Sequence, residues 1–189
     1  MSEAKVMKVL GIAGSLRQGS YNRLALRAAQ KLSPAGMEIL PFDHLREVPP
    51  YDEDVKTQGF PLVVQQLRDA IRAADALLIV TPEYNYSVPG LLKNAIDWAS
   101  RPPEQPFLDK PTAIMGASPA AIGTARAQYH LHQCFVYLDA KILNRPEVMI
   151  GQAAQKFADD GTLTDEATAK AIAALLESLK AWTLRLQPR

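Results

Sequence analysis

The stretch GSLRQGSYN, residues 14–22 (the first loop), has residue types and spacing that suit anion binding, and it follows the apolar run KVLGIA. A strand that ends in a short polar loop and continues directly into a helix can hold phosphate, because backbone N–H groups at the helix start point at the anion. Arg17 adds a charge-assisted hydrogen bond donor. The pattern predicts a phosphate site, and a plain strand–helix turn capped by Ser20 is the alternative.

The spacing within the first loop indicates which kind of phosphate-containing ligand it suits. Gly14 and Gly19 have the GxxxxG spacing of a nucleoside-triphosphate loop, but Ser20 and Tyr21 stand where that motif has lysine and a hydroxyl ligand for magnesium. The dinucleotide motif GxGxxG is also absent, since Gly11 and Gly14 are three apart. A terminal monophosphate is therefore favoured, and nucleoside-triphosphate hydrolysis is the weaker alternative.

A second chemically suggestive stretch is TPEYNYSVPGLLKNAIDW, whose residues 81–88 form the second loop. Pro82 and Pro89 bracket it and predict a short, stiff arch. Such an arch offers N–H groups to the edge of a flat heteroaromatic ring, while Tyr84 or Tyr86 covers a face of the ring. A rigid surface turn whose tyrosines pack on a neighbour is the alternative. With the monophosphate site, the arch indicates a flavin mononucleotide (FMN) pocket.

The elements that must position these loops form an alternating series. Apolar runs rich in Val, Ile and Leu predict strands over residues 6–13, 37–42, 76–81, 112–117 and 140–145. Amphipathic patterns predict helices over residues 23–32, 63–74, from Pro89 to Ala99, 127–138 and 164–182. Five strands alternating with five helices imply a doubly wound parallel sheet. Its carboxyl edge gathers the first loop, the second loop and a third loop over residues 116–124.

Composition excludes several classes of protein. The chain has 189 residues, 48% of them hydrophobic, and a net charge of +1, which predicts one domain over residues 1–189. We expect no nucleic-acid partner because no basic run exists, and no membrane partner because no apolar run approaches bilayer length. The N-terminus lacks a signal-peptide pattern, and the single cysteine, Cys134, suits a reducing compartment; both predict a cytoplasmic location.

Four stretches resemble the NAD(P)H-dependent FMN reductase family of the quinone and chromate reductase type, in register over residues 6 to 150. They are GSLRQGSYN, TPEYNYSVPGLLKNAIDWASRP, GASPAAIGTARAQYHL and LDAKILNRPEV. The resemblance implies a flavodoxin-like three-layer sandwich, with a five-stranded parallel sheet of order 2-1-3-4-5 and helices on both faces. It implies non-covalent FMN, with NAD(P)H as co-substrate. The implied cofactor-binding residues are Ser15, Leu16, Arg17, Gln18, Gly19, Ser20, Tyr21, Asn22, Pro82, Glu83, Tyr84, Asn85, Tyr86 and Ser118.

The predicted function is hydride transfer from NAD(P)H via FMN to quinones or similar acceptors, namely chromate, azo compounds or free flavin. The flavin carries the chemistry, so no side chain is predicted to be catalytic and no metal is expected. Arg101 and Arg126 are candidates for contacting the substrate, with surface ion pairs as the alternative. A flavodoxin-type electron carrier is the main rival, although such carriers tend to be strongly acidic and this chain has 21 basic and 20 acidic residues.

Other titratable side chains predict no chemistry. His130 and His132 are two apart on a helix and point in different directions, and Cys134 lies on an apolar helix face. The acidic residues of PPYDEDV predict a solvated loop rather than a cation site. Ala120 and Thr124 depart from the glycines that the family often carries, which predicts an altered third loop if either position needs positive φ.

The apolar pattern of the third predicted helix also indicates how copies of the chain assemble. Leu91 and Trp98, seven apart, form a second apolar stripe, which favours a homodimer contact over the alternative that Trp98 covers its own core. The family resemblance points to homodimers or homotetramers as well. It places Tyr86, Arg126, Tyr129 or Glu147 near a neighbouring subunit.

Overall fold

A parallel sheet forms the centre of the molecule in a computed structural model that describes residues 6–186. Within that range the six strands are β1 Met7–Ala13, β2 Met37–Pro41, β3 Ala76–Val80, β4 Pro111–Ala117, β5 Lys141–Ile142 and β6 Val148–Ile150. Their order is β2-β1-β3-β4-β5, with β6 also paired to β4, and all the pairs are parallel. Every residue of β3 and β4 is buried, as expected for strands covered on both faces. The predicted strand order is confirmed.

The helices cover both faces of this sheet. They are α1 Tyr21–Lys31, α2 Glu53–Thr57, α3 Leu62–Ala73, α4 Gly90–Ala99, α5 Ala125–Val136 and α6 Glu166–Leu186. Helices α1 and α6 pack on one face, where Leu24 and Ile172 are buried. Helices α3, α4 and α5 pack on the other, where Leu67, Ile96 and Phe135 are buried. The result is the predicted three-layer sandwich, with the carboxyl ends of β1, β3 and β4 side by side.

Two local features differ from the sequence prediction. The fifth sheet position is shared by two short strands: β5 pairs with the start of β4, and β6 pairs with its end. Three apolar residues are too few to show strand periodicity, so β6 was missed. The acidic stretch predicted as a loop contains the short helix α2, because the Asp52 carboxylate accepts a hydrogen bond from the Asp54 N–H at 2.8 Å and caps the helix.

The preferred prediction that Trp98 lies at a dimer contact is wrong. Its side chain is fully buried within its own chain, and its indole N–H donates to the Pro49 carbonyl at 2.8 Å. The ring also packs edge-on against Tyr51 and Phe60, at centroid distances of 4.8 and 6.4 Å. Helix α4 is apolar on two sides because it has two partners in its own chain: the sheet, and the segment that follows β2.

The described residues include no helix that is long and apolar enough to cross a membrane. The prediction of one domain over residues 1–189 extends to residues 1–5 and 187–189, which lie outside the described range. The prediction that the N-terminus has no signal-peptide pattern likewise includes residues 1–5, which lie outside the described range.

Candidate functional site

The three predicted loops converge at the carboxyl edge of the sheet. The Gly14 N–H donates to the Val80 carbonyl at 2.9 Å, and a Cβ on Gly14 would lie 3.3 Å from the ring of Pro82. The first and second loops are therefore in contact. A Cβ on Gly116 would collide with the Thr81 carbonyl oxygen and the Thr124 hydroxyl. Only glycine allows this close approach of the second and third loops.

The first loop presents unused backbone donors. The N–H groups of residues 15–19 have no acceptor anywhere in residues 6–186. The Ser20 N–H donates to the Arg17 carbonyl at 3.1 Å, while the Ser20 hydroxyl accepts from the Asn22 N–H at 3.2 Å and caps α1. Five successive free N–H groups just before a helix start are a donor set that can bind an anion.

Arg17 supplies a free positive charge at this loop. It is exposed, and it makes no ion pair with any described residue. Its guanidinium carbon lies 5.3 Å from the centroid of the Tyr21 ring, and that ring stacks on Phe157 at 6.0 Å. Tyr21 is thus held between a cation and an aromatic residue from the far end of the chain, and Arg17 remains available to an anion.

Asn22 has a structural role that its position in the motif did not reveal. Its buried side chain donates from Nδ2 to the Ala117 carbonyl at 2.9 Å and accepts from the Ala117 N–H at 2.8 Å. The amide therefore joins the start of α1 to the end of β4. Because both ends of the amide are used within the fold, this side chain has little capacity left for a ligand.

The second loop is a tight two-residue turn. Tyr84 and Ser87 exchange backbone hydrogen bonds of 3.1 and 3.0 Å. The residues between them, Asn85 and Tyr86, have φ values of 50° and 64°. Positive φ at both central positions is the requirement of a type I′ turn, and it is unfavourable for a residue such as tyrosine.

This turn presents donors beside aromatic surface. The N–H groups of Glu83, Asn85 and Tyr86 have no acceptor among the residues described. Tyr84 and Tyr86 are 54% and 65% exposed, whereas Pro82 is buried. The second loop therefore has the N–H donors and exposed rings that the arch prediction required.

The Glu83 carboxylate points away from these free donors. Its oxygens accept from the N–H groups of Arg126 and Ala127 at 3.0 and 3.1 Å, and from the Arg126 guanidinium at 3.1 Å. The Arg126 guanidinium carbon lies 3.8 Å from the centroid of the Tyr86 ring. Arg126, one of the two candidate substrate contacts, is therefore at the site but engaged with these two residues.

The third loop is anchored by Ser118. Its N–H donates to the Ile150 carbonyl at 2.9 Å, and its hydroxyl accepts from the Ala120 N–H at 3.1 Å. The positive φ in this loop, 62°, falls on Gly123, whereas Thr124 has φ of −121°. Side chains at Ala120 and Thr124 therefore impose no backbone strain.

Arg101, the other candidate substrate contact, does not join the three loops. It follows the C-terminal end of α4, where it donates to the Asp97 carbonyl at 2.9 Å and to the Ser100 hydroxyl at 3.1 Å. The second loop precedes the opposite end of that helix, and a ten-residue helix spans about 15 Å.

A cleft of about 520 Å³ adjoins the first loop on the side away from the second. Ser15, Leu16 and Gln18 form one wall, and α1 and the end of β2 form the others. Arg23 lies there, 3.5 Å from Asp43.

The remaining titratable side chains form no second site. No group of three metal-ligating side chains occurs in the described residues. Burial lowers the pKa of His132, opposed by Glu147, and burial raises the pKa of the Cys134 thiol. His130 lies at the second loop, with Nδ1 3.0 Å from the Ser87 hydroxyl oxygen.

The donor set fits FMN. An anion site with one free cation suits a terminal phosphate, and the N–H groups of Glu83, Asn85 and Tyr86 suit the polar edge of an isoalloxazine ring. A parallel sandwich with an anion-binding loop after β1 defines a flavodoxin-like nucleotide-binding protein.

Comparison with known proteins identifies the family. The model of the NADPH-dependent FMN reductase family matches residues 7–155. The chain is 56% identical over 181 residues to the NAD(P)H-dependent FMN reductase of Pseudomonas aeruginosa, covering 96% of this chain and 97% of that protein. The chain belongs to the NADPH-dependent FMN reductase family. This confirms the resemblance, and with it FMN as cofactor, NAD(P)H as co-substrate and oxidoreductase activity.

Two further relatives extend the comparison. The quinone reductase of Escherichia coli strain K12 is 48% identical over 164 residues, covering 86% of this chain and 87% of that protein. The solved flavoenzyme NAD(P)H:(acceptor) oxidoreductase of Paracoccus denitrificans has a TM-score of 0.86 and 38% identity, covering 95% of this chain and 98% of that chain. The flavodoxin-like fold is thereby confirmed over nearly the whole chain.

Proposed function

We propose that the protein catalyses FMN-dependent reduction of quinones by NAD(P)H, and that chromate, azo compounds and free flavin are reduced at the same site. The observation that carries the proposal is the second loop, where three free N–H groups lie beside two exposed tyrosines. The relative from Escherichia coli is named quinone reductase and the one from Solanum tuberosum, 45% identical over 193 residues, NAD(P)H:quinone oxidoreductase. These names support quinones as the first acceptor class.

Different residues of the chain would hold different parts of the cofactor. FMN, when bound, supplies the group that accepts and returns hydride. The N–H groups of residues 15–19 and the Arg17 guanidinium would hold its phosphate. The N–H groups of Glu83, Asn85 and Tyr86 would donate to the ring edge, where they favour negative charge in the reduced state. Tyr84 and Tyr86 would shield the ring from water.

Steady-state kinetics test this proposal against an electron carrier. FMN-loaded protein should oxidise NADH or NADPH when benzoquinone is added. The yellow protein should bleach under anaerobic conditions when NADH or NADPH is added alone, and it should regain colour when quinone follows. Protein that holds FMN but gives no turnover with either nicotinamide would instead act as a flavodoxin-type carrier. The near balance of 21 basic and 20 acidic residues disfavours that carrier role.

We also propose a homodimeric or homotetrameric assembly, through α5 rather than α4. Tyr129 and Val136, seven apart, lie on one stripe of α5, and Tyr137 directly follows the helix; these residues are 54%, 78% and 90% exposed. Exposed apolar stripes of this kind are typical of interfaces. Val136→Glu should lower the sedimentation coefficient, whereas Val55→Glu, on the separate helix α2, should not. An unchanged coefficient for the Val136 variant would contradict the assignment.

A cytoplasmic location completes the proposal. A chain with one cysteine suits a reducing compartment, and a nicotinamide co-substrate is consistent with it. Cell fractionation followed by immunodetection should recover the protein with cytoplasmic markers. Recovery with the periplasmic or membrane fraction would contradict this location.

A further inference from the structure

The Glu83 carboxylate performs a capping role for a helix to which it does not belong. Helix α5 begins at Ala125, and its N-cap residue, Thr124, makes no side-chain capping bond. The N–H groups of Arg126 and Ala127, which an N-cap side chain usually satisfies, instead donate to Glu83 at 3.0 and 3.1 Å. The negative charge also lies favourably at the positive end of the helix dipole.

The same carboxylate fixes Arg126 over the second loop. The ion pair between Glu83 and Arg126 spans 3.1 Å, and the Glu83 side chain is only 9% exposed. The Arg126 guanidinium then lies 3.8 Å from the centroid of the Tyr86 ring, within the range of a cation–π contact. A continuous series of contacts therefore runs from the start of α5, through Glu83 and Arg126, to Tyr86.

The series ends on a backbone conformation that is unfavourable for residues other than glycine. Asn85 and Tyr86 are adjacent, and both have positive φ, which non-glycine residues adopt only when their surroundings hold them there. Their N–H groups have no acceptor within residues 6–186, so the direction in which they point depends on the turn. Contacts that hold Tyr86 in place therefore also fix the direction in which the Asn85 and Tyr86 N–H groups point.

We propose that Glu83 is a positioning residue, whose carboxylate ties the turn to the start of α5 and thereby aims the Asn85 and Tyr86 N–H groups at the flavin ring. Its side chain does not contact the cofactor; its effect on binding and reduction is exerted through Arg126 and Tyr86. This inference rests on the proposed function. It assigns the Glu83 carboxylate and the Arg126 side chain roles different from direct cofactor and substrate contact, while the Glu83 backbone N–H keeps its proposed place at the ring edge.

The test is Glu83→Gln in the full-length protein, measured by flavin binding and flavin reduction potential. The amide keeps the size of the side chain but loses the charge that holds Arg126. We expect the dissociation constants of FMN and riboflavin to rise by the same factor, roughly 5- to 20-fold, because the ring is shared by both ligands. The midpoint potential should become more negative, since misaligned donors stabilise the reduced ring less.

Asp165→Asn is the matched control, because Asp165 also caps a helix and pairs with a lysine. It accepts from the Thr168 N–H at 2.8 Å at the start of α6 and lies 3.7 Å from the Lys156 ammonium, away from the three loops. This variant should lose thermal stability as the Glu83 variant does, while flavin affinity and potential stay at the wild-type values.

Arg126→Met is a second test of the proposal. It removes the ion pair but keeps the hydrogen bonds that the Arg126 and Ala127 N–H groups donate to Glu83. If Glu83→Gln fails to fold, Arg126→Met must shift the potential in the same direction. The proposal is overturned if either folded variant loses stability but keeps wild-type riboflavin affinity and potential. Wild-type protein that binds no FMN would instead overturn the proposed function itself.

Discussion

Arg17→Ala provides a direct measure of the phosphate contact in the first loop. Arg17 is exposed and has no ion pair among the described residues, so its charge is not offset within the fold. A hydrogen bond to a charged group contributes about 1.5–3 kcal/mol, and an exposed donor belongs at the lower end of that range. A loss of about 1.5–2 kcal/mol corresponds to a roughly 10- to 30-fold rise in the FMN dissociation constant.

Riboflavin separates the phosphate contact from the other contacts of Arg17. Riboflavin lacks the phosphate, so Arg17→Ala can weaken its binding only indirectly. One such indirect effect is the loss of the contact between Arg17 and the Tyr21 ring, whose centroid lies 5.3 Å away. We expect its dissociation constant to change by less than about fivefold, since that cation–π contact is worth about 0.5–1 kcal/mol at an exposed site. Quenching of flavin fluorescence at low ionic strength measures both ligands under the same conditions.

Arg23→Ala is the control for net charge. Arg23 lies on the first turn of α1 and is already 3.5 Å from Asp43, so its removal changes the net charge equally without exposing an anion site. FMN affinity should stay within about twofold of wild type, because screened surface charges contribute little. The reasoning is refuted if Arg17→Ala weakens both ligands equally, or if Arg23→Ala matches its effect on FMN.

Three further predictions concern stability and reactivity. Gly116→Ala should lose flavin binding and thermal stability together, because its Cβ would overlap a backbone carbonyl in the second loop; retained FMN affinity would contradict the close approach. Arg68→Met should lower the free energy of unfolding by about 1–3 kcal/mol in urea titrations, since it leaves four backbone carbonyls, that of the buried Ala99 among them, without the guanidinium that donates to them. Burial raises the pKa of the Cys134 thiol, so alkylation at pH 8 should be several-fold slower in native than in urea-unfolded protein.

His132 contributes to the pH dependence of stability below about pH 6.5. Burial lowers the pKa of this imidazole, so between its folded pKa and about 6.5 the unfolded chain binds more protons than the native protein. The free energy of unfolding should therefore fall as the pH drops through that window. His132→Gln should flatten this part of the curve, and an unchanged slope in urea titrations from pH 7 to pH 5 would contradict the assignment.

The first and second loops were predictable because their properties are local. A short polar loop that leads into a helix can present backbone N–H groups to an anion, and residues 15–19 have N–H groups without an acceptor in the described residues. Two prolines around residues 83–87 limit that segment to a short arch. Strand order was also predictable, because buried parallel strands alternate with helices, although β6 was too short for its periodicity to be seen.

Side-chain roles that depend on distant residues were not predictable. Asn22 is part of a phosphate-loop pattern, but its amide bonds Ala117, 95 residues away. Glu83 was expected at the flavin, and the structure directs its carboxylate to Arg126, 43 residues away. No pattern in one sequence links positions so far apart.

The sequence by itself determined the class of fold and the two loops that suit FMN, because backbone geometry and turn chemistry depend on neighbouring residues. Only the tertiary structure decided which polar side chains remain available to a ligand. The tertiary structure also decided what covers Trp98: the segment after β2 covers its apolar stripe, and a second subunit does not. Burial and hydrogen-bond partners are properties of the packed chain, and they determine function at the site.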